Sequence, residues 1–284
     1  MPLLPETTRR IDALVAEGQA KAHAPSLVTG VVRDGELVHF SGAGEQPTPD
    51  SDTQYRIGSI TKTMTAVLVM QLRDEGRLAL DDSLDRHLPG TPVGDLTLRQ
   101  LLGHASGLQR EPEGEWWERA TGSDVPNLLA GLTADKIAFP PYRRYHYSNL
   151  AYGLLGAMLE RITGERWWDL LRARVLDPLG MHRTTYQAEE PFARGYVVHP
   201  WRRTLREEPR TDTGAMAAAG QLWSTVADLA KWAAFLADPV PSVLAPDTLS
   251  EMCTPVVISD LDAWTSGHGL GLELNRAGER IYVG

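Results

Sequence analysis

The chain has 284 residues, 42% of them hydrophobic, which is enough to bury a sizeable core in one large or two interlocked domains. Its 28 basic against 37 acidic residues give a net charge of −9, and no basic patch or stripe appears, so a nucleic-acid or anionic-membrane surface is not expected. A single cysteine, Cys253, excludes an internal disulfide and fits a reducing compartment, with simple packing as its expected role.

Residues 1–10 lack a positive segment followed by an apolar one, and no run of 18 uncharged apolar residues occurs, so the expectation is a cytoplasmic protein without a membrane span. Residues 7–23 read as an amphipathic helix with Ile11, Leu14 and Val15 on one face. Two apolar runs, 26–32 and 36–41, flank Asp34-Gly35, the pair that favours a tight hairpin. A loop rich in Gly, Pro and Asp over 42–53 then delivers the chain to Gly58-Ser59-Ile60-Thr61-Lys62.

From 61 to 75, Met64, Val67, Leu68 and Leu72 follow the spacing of a half-buried helix, so Ser59 falls at a helix start. Residues three apart share a helix face with Cβ atoms about 5–6 Å apart, which brings the Lys62 amine against the Ser59 hydroxyl. A serine is a weak nucleophile until a neighbour takes its proton, and a lysine does so once desolvation lowers its pKa. The helix N-terminus favours both the neutral amine and a developing oxyanion. One S-x-x-K is expected by chance in about every chain of this length, so the spacing alone is weak.

Residues 78–200 read as mostly helical, broken at Pro89-Gly90, Pro140-Pro141 and Pro178, with short helices at 97–102, opened by Thr97, and 165–176. The pairs Trp116-Trp117 and Trp167-Trp168 fit two readings: the floor of an apolar acyl pocket, or one core and one rim residue each. Tyr147 and Asn149 form the one Y-x-N of the chain, at the mouth of a helix carrying Leu150, Leu154, Met158 and Ile162 and stopped by Gly164. The phenol can relay a proton and the amide can hold a substrate carbonyl; equally, Tyr147 can be a buried structural tyrosine and Asn149 an N-cap.

After Asp212, the small-residue run 214–220 lets backbone approach a ligand closely at Gly220, or serves tight packing. Thr225 and Asp228 open a helix that Asp238-Pro239 ends. Residues 269–274 and 279–283 read as an antiparallel hairpin joined by 275–278. The expected architecture is therefore α/β (α+β): an antiparallel sheet from both chain ends in a subdomain of residues 1–77 and 201–284, incomplete at the C-terminus, and a mostly helical subdomain of 78–200.

The order S-x-x-K then Y-x-N resembles the class C β-lactamases, the D-Ala-D-Ala carboxypeptidases and the family VIII carboxylesterases, a serine β-lactamase and penicillin-binding-protein superfamily that shares one fold. Leu101-Leu102-Gly103-His104-Ala105-Ser106-Gly107-Leu108 is similar to that family's LLTHTSGL segment, with Gly103 and Ala105 in place of threonines. Residues 176–181 resemble its PLGM turn, and 219–225 its AGGLxST loop. The resemblance implies that Ser59 is acylated, that Lys62 and Tyr147 move the proton, and that Asn149 binds the substrate carbonyl, with no metal or organic cofactor.

The implied activity is acyl hydrolysis or transfer on an ester, thioester or amide donor. Without an export signal an ester or thioester is favoured, and a penicillin-binding-protein-type thioesterase or peptide cyclase, taking a peptidyl thioester from a carrier protein, is one cytoplasmic variant. Carboxylesterase, D-amino-acid peptidase or β-lactamase, and a catalytically idle binding or assembly scaffold are the alternatives. An α/β-hydrolase elbow is excluded, because Gly103-His104-Ala105-Ser106-Gly107 has its serine one place late. The eight histidines show no H-E-x-x-H. The family's third motif, H-x-G or K-[ST]-G, is not found before Gly284, since His268-Gly269-Leu270 lacks the spacing. The expectation is that a continuation supplies at least one more strand against 269–283 and that residues 1–284 alone are nearly inactive.

Overall fold

The computed structural model describes residues 2–44, 48–199, 201–202 and 204–284. The middle of the 42–53 loop, at 45–47, and the boundary expected at residue 200 lie outside the described residues. The chain divides into two compact units, Met1–Ile57 with Leu176–Arg210 and Leu222–Pro239, and Gly58–Val175 with Thr211–Gln221 and Val240–Gly284.

In the first unit, Pro at the first helical position opens the helix Pro5–Ala22, and His23 ends it in the left-handed region. Of the expected apolar face only Val15 is buried; Leu14 is 57% exposed. The hairpin Ser26–Arg33 and Glu36–Gly44 turns at Asp34 (φ 52°) and Gly35 (φ 79°). Two consecutive positive φ angles are what a twist-matched two-residue turn requires, and Asp-Gly supplies them at little cost. The Thr225 hydroxyl accepts the Asp228 N–H and caps the helix Val226–Ala237. Tyr55–Arg56 pairs with Trp223–Ser224, and Tyr196–Val198 with Leu205–Glu207.

The second unit is built on the helix Ile60–Asp74. Thr61 through Met70, and Leu72, are all buried, so the helix expected to be half-buried is enclosed on nearly every side. Against it pack Asn149–Thr163, Trp167–Leu171 and Ala217–Gly220. At burial of about 1.5–3 kcal/mol per large apolar side chain, Met64, Val67, Leu68, Met70 and Leu72 make this helix a main contributor to the core. Thr97 and Gln100 form a reciprocal capping box on Leu98–Leu102. The expected helix at 165–176 is Trp167–Leu171 followed by a π-helical turn, Arg172–Leu176. Residues 103–124 and 137–148 carry no helix or paired strand of length, so the 78–200 segment is less helical than its periodicity suggests. Prolines 112, 140 and 141 and glycines 103, 107, 114 and 122 break the pattern there.

The C-terminal strands form an antiparallel meander ordered Arg280–Val283, Glu273–Ala277, Ser266–His268, Val257–Ile258. They pair among themselves and the N-terminal hairpin pairs with itself, and the mixture of helices and antiparallel strands is the expected α/β (α+β) class. Residues 269–272, expected as strand, form a turn: the Leu270 N–H donates to the Met252 carbonyl and the Gly271 N–H to the Leu102 carbonyl. The second of these bonds joins the C-terminal segment to the helix Leu98–Leu102 within the second unit. Among the described residues no helix is long and apolar enough to cross a membrane.

Gly271 has φ 83°, and a Cβ there would lie 2.2 Å from the Ala66 Cβ on the enclosed helix. Gly271→Ala should therefore cost about 2–4 kcal/mol through combined backbone strain and overpacking. Gly278→Ala, at φ 61° with open space around it, should cost about 1–2 kcal/mol. Urea-melt midpoints of the two variants check this, and equal losses would contradict it.

Candidate active site

Gly58, at φ 51°, turns the chain into the helix, and Ser59 takes its N-cap position. The Ser59 hydroxyl makes no cap bond, which leaves its oxygen to Lys62. Lys62 Nζ lies 3.0 Å from Ser59 Oγ and donates to the Ala219 carbonyl at 2.6 Å. With only 3% of the residue exposed, burial brings the amine from 10.5 down to about 7. Glu118 and Glu111 pull it back up, and Arg110 lowers it further. The helix N-terminus acts in the same direction as burial.

Tyr147 hydrogen-bonds to Ser59, while burial raises its phenol above the usual value. The Lys62 nitrogen is 4.9 Å from the centre of the Tyr147 ring and 5.6 Å from that of Tyr152. Ser59, Lys62 and Tyr147 are thus brought together: helical spacing anticipates the first two, and the resemblance to the β-lactamase superfamily the third. At neutral pH their environments keep the phenol protonated and leave the amine close to half deprotonated.

Ser148, rather than Asn149, caps the helix Asn149–Thr163. Its hydroxyl accepts the Ala151 N–H at 3.0 Å and donates to the Gln109 carbonyl at 2.7 Å. That frees the Asn149 side chain. Its Nδ2 donates to both oxygens of Glu111 at 2.9 Å each, and Glu111 also accepts from the Trp117 indole at 2.7 Å. The carboxylate fixes which end of the amide is nitrogen, and Asn149 Oδ1 is left buried without a partner. The two oxygens of one carboxylate subtend only about 45° at a nitrogen 2.9 Å away, against about 120° between the amide hydrogens. One N–H can therefore serve Glu111 and leave the other to a further acceptor.

Gly220 is buried at the end of Ala217–Gly220. A Cβ there would meet the Trp117 ring at 2.9 Å and the Gly58 carbonyl carbon at 3.5 Å. It sits against the backbone entering the nucleophile helix, while the neighbouring Ala219 supplies the carbonyl that holds Lys62. Trp117 is buried and Trp116 half exposed; Trp167 is buried and Trp168 less so, which matches the core-and-rim reading of both pairs. Ser106 is buried, and its hydroxyl accepts the Leu108 N–H.

Sequence reasoning gave no site role to Glu111, His104, Tyr145, Tyr152 or His268, although His104 and His268 stood in segments compared with family motifs. With Tyr147, the last four form a cluster of rings centred on His104, whose centroid lies 4.4 Å from that of Tyr147, 4.7 Å from His268, 5.3 Å from Tyr152 and 5.9 Å from Tyr145. Burial pushes the Tyr145 phenol up to about 12 and holds both histidines below their ordinary value. Glu111 lies in a stretch without periodicity, between Arg110 and Pro112-Glu113, so nothing in its sequence surroundings set it apart. Among the described residues no group of three or more His, Cys, Asp or Glu is placed to hold a metal ion.

The chain is similar to known proteins over most of its length. The chain is 27% identical over 275 residues to Beta-lactamase-like protein 2 of Dictyostelium discoideum, covering 90% of this chain and 50% of that protein, so it spans about half the relative's length. The octameric penicillin-binding protein homologue from Pyrococcus abyssi superposes with a TM-score of 0.84 at 26% identity, over 97% of this chain and 67% of the other. A D-stereospecific amidohydrolase from Streptomyces sp. superposes with a TM-score of 0.81 at 29% identity, over 96% and 86%. The Beta-lactamase family itself matches residues 11–282, nearly the whole of the fold described above. On that match the chain belongs to the Beta-lactamase family of serine hydrolases.

Proposed function

We propose that this protein forms an acyl-enzyme on Ser59 and hydrolyses or transfers the acyl group of an ester, thioester or amide donor. The observation that carries the reading is a buried Lys62 amine, brought to about 7, lying 3.0 Å from the Ser59 oxygen. The neutral amine takes the hydroxyl proton as Oγ attacks the acyl carbon. The spare Asn149 N–H holds a carbonyl of the donor. As the tetrahedral intermediate collapses, the protonated Tyr147 phenol gives its proton to the leaving oxygen, sulfur or nitrogen and recovers one from the Lys62 ammonium. Water or an amine then attacks the ester of Ser59, with the same two groups working in reverse.

Similarity to a D-stereospecific amidohydrolase supports a donor whose acyl residue has the D configuration. A peptidyl thioester ending in such a residue, delivered by a carrier protein in the cytoplasm and released by hydrolysis or cyclisation, is the donor we favour. The ester and thioester preference rests on the sequence expectation of a cytoplasmic protein.

A fluorophosphonate should add one equivalent at Ser59, read by intact mass and peptide mapping, and Ser59→Ala should abolish it. An adduct on Ser106 or Ser148 would overturn the assignment. D- and L-configured aminoacyl esters and thioesters offered in turn should acylate Ser59 with the D series faster. Tyr147→Phe should lower the acylation rate by about 10²–10⁴-fold, and full turnover in that variant would make the phenol structural.

The rate should rise as pH passes upward through about 7, where Lys62 loses its proton. The same shift sets a stability trend. Below pH 7 the ammonium is buried in the folded state and hydrated in the unfolded one, so its full penalty is present. Between 7 and 10.5 the unfolded chain binds more protons, and stability rises by about 1.4 kcal/mol per pH unit. Lys62→Met should accordingly melt above the wild type at pH 6, with the gap narrowing toward pH 10, while its acylation is lost. Differential scanning across that range checks it, and a gap that does not depend on pH would contradict it.

A further inference from the structure

His104 has a left-handed backbone, φ 52°, and a side chain 1% exposed. Its two acceptors both face the segment that carries Tyr147. The ring Nδ1 accepts the Ser148 N–H at 3.1 Å, and the main-chain oxygen accepts the His146 N–H at 2.9 Å. The N–H groups on either side of Tyr147 are therefore held by one residue. The imidazole also lies under the Tyr147 ring, centroids 4.4 Å apart and planes 35° apart.

An Nδ1 that accepts carries no proton, so the neutral ring carries its hydrogen on Nε2, and that buried atom has no hydrogen-bond partner. Burial holds the ring neutral, and the facing groups act the same way: His268 and Lys62, then His146 and Arg110. Tyr145, Tyr147 and Tyr152 complete its surroundings. A buried unpaired N–H is costly, and an apolar ring of similar size would fill the space without it. What an apolar ring cannot do is accept the Ser148 N–H.

We infer that His104 is a positioning residue: its unprotonated Nδ1 and flat ring fix where the Tyr147 phenol sits relative to Ser59. This rests on the acyl-enzyme reading given above. His104 makes no contact with the reacting oxygen and acts only through Tyr147.

Two substitutions separate its two contributions. His104→Phe keeps a ring beneath Tyr147 and removes the acceptor. His104→Asn puts a carbonyl oxygen where Nδ1 was, and asparagine tolerates the left-handed backbone. Fluorophosphonate labelling of Ser59 should be about 10²-fold slower at saturating reagent in His104→Phe, with half-saturation unchanged. His104→Asn should recover most of that loss. In a Tyr147→Phe background, His104→Phe should add nothing further, because both changes remove the same contribution. Amide exchange of Ser148 should accelerate in His104→Phe and stay slow in His104→Asn.

Wild-type speed in His104→Phe would overturn the inference. So would an undiminished further loss in the Tyr147→Phe background, which would make His104 an independent or merely structural group. If His104→Phe does not fold, His104→Gln takes its place in the same cycle, since its longer side chain moves the acceptor out of register. A wild-type protein that takes up no label sinks the acyl-enzyme reading and the catalytic half of this inference with it. In that case the exchange of the Ser148 amide still decides whether His104 holds the segment.

Discussion

Removing the Lys62 amine from water is the constraint on which the rest of this site depends. A lysine in solvent is charged at neutral pH and useless as a base beside a serine. Here the enclosed helix Ile60–Asp74 denies it hydration, and the Ala219 carbonyl holds the nitrogen near Ser59. Glu111 and Glu118 oppose the desolvation, which leaves the amine balanced near neutrality rather than driven far below it. The small residues of Ala217–Gly220 allow this close approach. The same burial costs folding stability, so the helix must be secured by apolar contacts from several neighbours.

Around that base the tyrosine is set in the opposite sense. Burial that strips a proton from an amine keeps one on a phenol. One dry environment therefore inclines an amine to give up its proton and a phenol to keep one, on the two sides of one hydroxyl. Ser106 and Ser148 are engaged differently from Ser59. The Ser106 hydroxyl is taken by a neighbouring N–H, and that of Ser148 is spent on a helix cap and a carbonyl.

Much of this was readable in the sequence, and for physical reasons. Helical spacing fixes Ser59 and Lys62 on one face, Asp34-Gly35 can scarcely be anything but a tight turn, and Thr97 and Thr225 announce their helices. Tyr147 and Asn149 were legible as a pair but not in their division of labour with Ser148, since three polar residues in a row compete for one cap. The 269–272 turn was misread because Gly-Leu-Gly-Leu alternates like a strand, and only the Met252 and Leu102 carbonyls reveal its use. Leu14 was placed on a buried face because periodicity states which residues share a side, not whether anything covers it. Glu111, and the role of His104 within its motif, were not legible for a related reason: both lie where the chain has no period, and their partners are 38 and 44 residues away.

The stretch from His104 to Glu111 behaves as a template although it is neither helix nor strand. The His104 ring and carbonyl, the Gln109 carbonyl, the Arg110 carbonyl and the Glu111 carboxylate engage His146, Ser148, Asn149 and Leu150 in turn. Loops usually absorb insertions and deletions because nothing counts their length. Here the two segments are in register like cogs, and losing or gaining one residue between 104 and 111 would misalign every later contact at once. The length of this irregular stretch is thereby as constrained as the three-residue step from Ser59 to Lys62, and substitution within it is far easier to accommodate than any change in count.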